Sequence, residues 1–558
     1  MGERAPGGSL ANLLAWRLAE GPDRGFLHVE DDGPWSYARL AAAAVALGDR
    51  LGDRFGAVVP GELVPGERVV VRVGNDERFL PAVCAVWGRR AAAVVMHPAA
   101  PAEEVARVVA AMGATAVVCG PEDPAARPGV VGVPVVAFAR FGPSEGAGEP
   151  DGAASGGPGP AGSDRYRPPT EDVGGEPALV LLTSGSTGEP KGVVLTHDNA
   201  WSNLRATVSA FRRDTGPTPL ADPGKPPNLI ANPLSHTAGV VRLLFALYVG
   251  RSVALLRKFD GRTAKRLLDR HGIDNLTINP AMLRILLDTL EPGEDLGAVR
   301  YVSSGTAPLT PALREEFEAR FGVPVLQAYG QTEAFGGISI ESARDVLAGR
   351  RRPGSVGRPL PGVELRLVTA DGAEAATGEE GEIRVRSRSA TAGYLGAATD
   401  TPLDADGWLR TGDLGRLDDD GYLYLTGRLK NIIIRGGFNV VPEEVEAALA
   451  ADPAVREAAV LGVPDDRLGE VPVALVVADP TVPATAEAVL AAVRPRLAPY
   501  KRPDRVFLLA ELPRVPNGKV DRPKAAALAR ALATDQPAEP AAEQPAQEAA
   551  AEATGAVR

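Results

Sequence analysis

Between residues 36 and 119 the chain alternates helix-length and strand-length apolar segments, and this alternation restricts the fold more than any other feature. Residues 36–51 (SYARLAAAAVALGDRL) read as a helix with one buried face, and 68–73 (RVVVRV) as a strand. A helix near 78–89 leads to a strand at 91–96, and a helix at 102–112 to a strand at 114–119. Valine-rich strands separated by helices do not pair as hairpins. They pair in parallel, with each helix crossing over a sheet face. A second run of the same kind covers 228–326. Past Pro353 the texture turns to short strands and turns (VELRLV, GEIRVRS, GYLYLTG). From about Asn431 a smaller α+β segment follows, with a helix at 442–450 and strands at 458–462 and 473–477. The predicted class is therefore α/β: a large N-terminal domain of βαβ subdomains plus a β-rich part, then a small α+β C-terminal domain.

Two stretches have nothing to bury. Residues 141–177 are mostly Gly, Pro, Ser and Asp, and such a run cannot offset its ordering entropy, so a flexible insert is expected there. The tail from about Thr534 is Ala, Glu, Gln and Pro, and reads as disordered and solubilising. The boundaries expected are 1–429 for the N-terminal domain, 430–530 for the C-terminal domain and 531–558 for the tail.

Charge and cysteine content remove several functions. The chain has 60 basic against 71 acidic residues, a formal net charge of -11, which disfavours general nucleic-acid binding or adhesion to an anionic membrane. No window approaches the ~20 apolar residues of a membrane span. The N-terminus, MGERAPGGSL, lacks the apolar core of a signal peptide. Cys84 and Cys119 show neither a disulfide framework nor metal-ligand spacing, which suits a reducing compartment. The expected location is the cytoplasm.

The segment 181–196, LLTSGSTGEPKGVVLT, carries the first chemical signal. An apolar strand ends, a Thr/Ser/Gly loop follows, and Pro190-Lys191-Gly192 opens a second strand. Amides and hydroxyls of Thr183, Ser184, Gly185, Ser186, Thr187 and Gly188 suit phosphate oxygens, and Lys191 supplies a point charge. It is not a Walker A loop, which places GK[ST] at the start of a helix. Read alone, the segment is also compatible with a plain hairpin turn.

Four further motifs follow in order: Tyr329-Gly330-Gln331-Thr332-Glu333, Arg410-Thr411-Gly412-Asp413, Gly427-Arg428-Leu429-Lys430 and Pro513-Arg514-Val515-Pro516-Asn517-Gly518-Lys519. With these five the sequence, from about Ser36 to Arg522, resembles the adenylate-forming superfamily and, within it, the AMP-forming acyl-CoA synthetases. The resemblance implies ATP, Mg2+ and coenzyme A as cofactors and a small-molecule carboxylic acid as substrate. It implies acyl-AMP formation with loss of pyrophosphate, then capture of the acyl group by the thiol of coenzyme A.

Residue by residue, it makes Lys519 the lysine bridging acyl carboxylate and phosphate, Glu333 the Mg2+ ligand and Thr332 an α-phosphate contact. Tyr329, with Gly330, would flank adenine, Asp413 would accept the ribose hydroxyls, and Arg428 would reach ribose or phosphate. Ser304-Gly305-Thr306-Ala307-Pro308 resembles the adenine-side loop, with Thr306 where a second glycine is usual. In Pro233-Leu234-Ser235-His236-Thr237-Ala238-Gly239, His236 would lie near the carboxylate. Ser235, His236, Gly239, Val240, Ser304, Ala334, Gly336 and Gly337 would wall the acyl pocket, with room left by the two glycines.

Lys430 matches a hinge about which the small, mobile domain turns, and Gly436, Gly437 and Phe438 would border the pantetheine tunnel. Singly, each of these residues has an ordinary structural reading as a cap, a turn or an ion-pair member. Together they do not. Three other functions share part of the pattern: a ligase that loads an acyl carrier protein, a luciferase-like oxygenase, and a silent nucleotide binder. The lysines agree with the enzyme reading, because Lys191, Lys430 and Lys519 fall in motifs of a chain that otherwise uses arginine.

Overall fold

The computed structural model describes residues 7–30, 33–58, 66–126, 131–138, 162–184, 190–215, 224–391, 393–396, 401–435, 438–465, 468–497, 499–515 and 518–535. The chain forms two compact units, Met1–Leu425 and Thr426–Arg558.

The first unit is built around a seven-stranded sheet. Its order is Gly393–Gly396, Pro190–Thr196, Pro177–Ser184, Ala92–Val95, Arg68–Arg72, Ala116–Cys119 and Val135–Ala137. The last five of these pair in parallel, as the alternation predicts, and the first two pairings are antiparallel. Both faces are covered. Val69, Val71, Ala93, Val95, Leu179 and Leu181 join one apolar cluster, while Val70, Ala92, Val94, Val117 and Val180 join another. Successive side chains point to opposite faces, so a strand buried on both sides reads as an unbroken apolar run. The helix Phe79–Trp87, with no charged residue, is buried at every position. Its one indole N–H, on Trp87, donates to the Ala178 carbonyl at 2.8 Å.

A second sheet runs Asn275–Ile278, Tyr301–Ser304, Val325–Gln331, Gly336–Ile340 and Arg358–Pro359. Its first three strands are parallel and the last two antiparallel. A smaller sheet pairs Gly25–Val29 with Val253–Leu255, and Val253–Leu255 with Asn228–Ile230. The β-rich part expected past Pro353 is an antiparallel sheet of Glu364–Val368, Gly381–Arg386 and Leu409–Leu417.

The second unit packs the helices Pro442–Ala450, Ala486–Val493 and Arg522–Asp535 with a five-stranded sheet centred on Gly469–Ala478. Strands extend beyond the sequence expectation: Val455–Asp465 and Gly469–Ala478 pair over their lengths.

Two expectations about order need correction. The insert expected over 141–177 ends earlier than its composition implies, because residues 162–177 are folded. Tyr166 is 7% exposed and its hydroxyl donates to the Ala11 carbonyl at 3.1 Å, while Arg90 pairs with Glu171 and Glu176. Two buried apolar side chains, Tyr166 and Val173, and two acids anchor a stretch otherwise made of polar residues, glycine and proline. The tail starting at 531 also shortens, since the last helix continues to Asp535 by burying Ala525 and Ala529. Residues 141–161 and 536–558 lie outside the described residues.

Candidate active site

The first unit gathers most of the motif residues at carboxyl ends of strands, the edge where open α/β sheets bind ligands. The Thr/Ser/Gly motif is a hairpin with Thr183 opposite Lys191 and Ser184 opposite Pro190. Gly185, Ser186, Thr187 and Gly188 fall outside the described residues. The Lys191 ammonium sits 3.3 Å from the centre of the Tyr394 ring. Tyr394 belongs to the next strand, where Gly396 faces Lys191 and Tyr394 faces Val193, so ring and ammonium are diagonal cross-strand neighbours.

The Tyr394 hydroxyl donates to Glu333 Oε1 at 3.1 Å. The Glu333 backbone is held as well, its carbonyl accepting from the Thr391 amide at 2.7 Å. Burial first, and then the Glu333 carboxylate, push the Tyr394 phenol well above its ordinary range, so it remains a donor. Glu333 follows Thr332 in a short 3-10 turn, Thr332–Ala334. Thr237 donates its hydroxyl proton to the Thr332 hydroxyl at 2.8 Å, tying that turn to the helix Thr237–Val249.

His236 is the N-cap residue of the same helix, with its backbone carbonyl accepting from the Gly239 and Val240 amides. The loop before it is fixed by Asn75. The Asn75 amide donates to the Asn232 and Leu256 carbonyls at 3.1 and 3.0 Å, and its oxygen accepts from the Leu234 amide at 2.7 Å. Ser235 and Ser304 are 7% and 1% exposed, and neither hydroxyl has a hydrogen-bond partner among the described residues. Val240 and Ala334 are buried.

The Tyr-Gly-Gln-Thr-Glu motif turns at a very close backbone contact. A Cβ on Gly330 would lie 1.9 Å from the Gly336 carbonyl oxygen, so only glycine fits. Gly336 faces Val241 and Thr237, while the space beside Gly337 is taken by Leu360. Asp413, 5% exposed, accepts the Tyr329 hydroxyl at 2.7 Å and the Gln331 side-chain amide. Gln331 also donates to the Thr411 carbonyl at 3.0 Å. The adenine-type loop follows the strand Tyr301–Ser304. Gly305 packs beside the Ala328 carbonyl, and Thr306, Ala307 and Pro308 lie between exposed and half-buried. Thr306 takes φ +70, a left-handed conformation uncommon for a β-branched residue.

The second unit holds the remaining motif residues. Arg428 is exposed and precedes the 3-10 turn Leu429–Asn431 that contains Lys430. The side chain of Lys430 lies outside the described residues, as do Gly436, Gly437 and the side chain of Phe438. Lys519 is exposed at the end of a tight turn. Its carbonyl accepts from the Val515 amide at 2.9 Å, and Gly518 takes φ +84.

Sequence reading missed Tyr394, Gln331, Thr237 and Asn75. Gln331 and Thr237 stand inside quoted motifs. Tyr394 and Asn75 gave no signal, because what each does depends on partners far away in the chain.

Fold and site together define a two-unit α/β enzyme of the adenylate-forming class. The chain belongs to the AMP-binding enzyme family: the family model matches residues 14–395, and the model of the AMP-binding enzyme C-terminal domain matches 444–519. It is similar to the sulfoacetate–CoA ligase of Cupriavidus necator, with 35% identity over 529 residues, covering 92% of this chain and 97% of that protein. Among solved structures it is similar to ATP-bound MatB from Rhodopseudomonas palustris, with TM-score 0.80 and 28% identity over 94% of this chain and 99% of that one. It is similar too to O-succinylbenzoate coenzyme A synthetase (MenE) from Bacillus subtilis in complex with ATP and magnesium ion. There the TM-score is 0.74 and the identity 27%, over 92% of this chain and 99% of that one. No helix among the described residues is long and apolar enough to cross a membrane.

Proposed function

We propose that this AMP-forming acid–CoA ligase divides its reaction among the side chains described above. The acid carboxylate oxygen bonds to the α-phosphorus of ATP as the bond to the pyrophosphate oxygen breaks, giving acyl-AMP. The thiol sulfur of coenzyme A then bonds to the acyl carbon, and AMP leaves. Nucleophile and target are both anionic in the first step, so neutralisation and in-line placement dominate.

The observation that carries the assignment is the turn Thr332–Ala334 held between the Thr237 hydroxyl and the Tyr394 hydroxyl. Glu333 is half-buried, and among the described residues no cation forms an ion pair with it, so its charge suits a metal ion. Among those residues no three His, Cys, Asp or Glu side chains gather to hold a metal alone. Glu333 would therefore hold Mg2+ jointly with phosphate oxygens, as this ion commonly is held. When bound, the ion neutralises phosphate charge.

Thr332 donates toward the α-phosphate, and Lys191 with Thr183 and Ser184 faces the outer phosphates. Asp413, kept in place by Tyr329 and Gln331, accepts the ribose hydroxyls, and Arg428 supports the same end. Gly305 to Pro308 lie along adenine. His236 and Ser235 face the acid, with Ser304, Gly239, Val240, Ala334, Gly336 and Gly337 around the acyl group. Lys519 bridges carboxylate and phosphate, Lys430 is the hinge, and Gly436, Gly437 and Phe438 flank the pantetheine.

ATP–pyrophosphate exchange over a panel of carboxylic acids tests the first step, and thioester formation with free coenzyme A tests the second. Lys519→Ala is expected to suppress exchange while sparing thioester formation from supplied acyl-AMP. Equal loss of both steps contradicts the role given to Lys519.

A further inference from the structure

The phosphate-side lysine and the metal-side carboxylate come from segments far apart in sequence, yet one side chain touches both. The Tyr394 ring lies 3.3 Å from the Lys191 ammonium, and its hydroxyl is 3.1 Å from Glu333 Oε1. We propose that Tyr394 is a positioning residue for adenylation, setting Lys191 and Glu333 at a fixed separation before MgATP arrives. This rests on the roles given above to Lys191 and Glu333.

Three observations support a built connection. The strand Gly393–Gly396 pairs along its whole length with the strand carrying Lys191, which fixes the ring under the ammonium. Gly396 stands directly opposite Lys191 and offers no side chain to compete for it. Thr391, at the entry to that strand, donates its amide to the Glu333 carbonyl, while its hydroxyl donates to the Val194 carbonyl and accepts from the Gly393 amide. Glu333 is thus gripped at carbonyl and carboxylate by one short segment. That segment is hydrogen-bonded to the lysine strand.

The chemistry suits the task. A cation over a ring face is attracted without being neutralised by the ring. A phenol donates a single hydrogen bond and leaves the carboxylate its remaining lone pairs for a metal ion. An ammonium paired directly with Glu333 would cancel both charges. An intervening tyrosine holds them close without pairing one directly with the other.

Tyr394→Phe keeps the ring and removes the hydroxyl, whereas Tyr394→Leu removes both contacts. ATP binding is measured by calorimetry at graded Mg2+, which needs no acid substrate, alongside thermal melting. The Phe variant is expected to melt like the parent and to need about tenfold more Mg2+ for half-maximal ATP binding, the scale of a lost hydrogen bond to a charged group. The Leu variant is expected to lose affinity for ATP at saturating Mg2+ as well. Glu333→Gln serves as the reference. If it leaves the Mg2+ requirement unchanged, the metal role of Glu333 fails, and the proposal with it. If Glu333→Gln shifts the requirement and Tyr394→Phe does not, the Tyr394 proposal alone fails. A lower requirement in the Phe variant makes the hydroxyl a competitor of the metal and overturns the proposal. Should Tyr394→Leu not fold, the Phe variant still decides.

Discussion

Gly330→Ala is expected to slow adenylation about a hundredfold without unfolding the protein. An added Cβ would sit 1.9 Å from the Gly336 oxygen and 2.6 Å from its carbonyl carbon. Contacts of this kind do not fall below 3.0 Å, so one backbone must retreat by about 1 Å. Gly330 pairs with Gly337 and Gln331 with Gly336, so the retreat passes directly into the turn carrying Thr332 and Glu333. A 1 Å misplacement at a reacting centre costs about a hundredfold in rate. The global cost is smaller, because the pairing of Ala328 with Ile340 and of Tyr329 with Ser339 lies beyond the clash. The assay is ATP–pyrophosphate exchange with an accepted acid, read with circular dichroism and urea unfolding. A folded variant exchanging within about threefold of the parent would refute the reasoning, since the strand would then have absorbed the Cβ without moving the turn.

Three further outcomes are expected. His197 is 1% exposed, its Nδ1 accepts from the Leu10 amide at 3.0 Å, and burial lowers its pKa from 6.5 to about 4. The folded state therefore resists protonation: its stabilising share is complete above pH 6.5 and falls by roughly 3 kcal/mol by pH 4. Urea unfolding at the two pH values, with His197→Asn losing that part of the slope, checks this. Thr306→Gly relieves the left-handed strain of ~1–2 kcal/mol, partly offset by glycine's greater unfolded-state freedom. A net gain of ~0.5–1 kcal/mol should raise the denaturation midpoint, and a lowered midpoint contradicts it. Arg242, on the helix that begins after His236, forms no ion pair among the described residues, and burial draws its guanidinium down to about 10. Arg242→Met, which replaces a buried charge by an apolar chain of similar length, should not lower the urea midpoint. A lowered midpoint in Arg242→Met refutes that.

Much of the fold was legible because burial on both sheet faces writes itself into the chain as Val- and Ala-rich runs such as 68–73 and 91–96. The helix at 442–450 is equally plain: Pro442 opens it, and Val445 and Leu449 share its buried side. Composition misleads over residues 162–177 because it averages over the stretch, whereas two buried side chains, Tyr166 and Val173, pin it with the help of Arg90 on Glu171 and Glu176. The motifs of the site were visible as residue types, and what joins them was not. Asn75 satisfies two backbone groups of the loop before His236 and one at the end of the strand Val253–Leu255, all more than 150 residues away, and no local pattern encodes that. Thr306 is the opposite case. A non-glycine in a loop that usually carries glycine marked an irregular backbone, and the left-handed φ is what the structure has there.

The Gly393–Gly396 strand has a consequence for how the protein is made. The Thr391 hydroxyl reaches a carbonyl 197 residues earlier, and that strand is the last to join the first sheet. On the ribosome, Pro190–Thr196 therefore emerges as an open edge and stays so until residue 396 has left the exit tunnel. Such an edge invites pairing with another chain. Truncated or stalled chains ending before residue 393 should accordingly self-associate, while chains extended past 396 should not. Pulse-labelled translation intermediates separated by size would register the change. The residue that spans the two charged groups of the site also lies in the strand that completes this sheet.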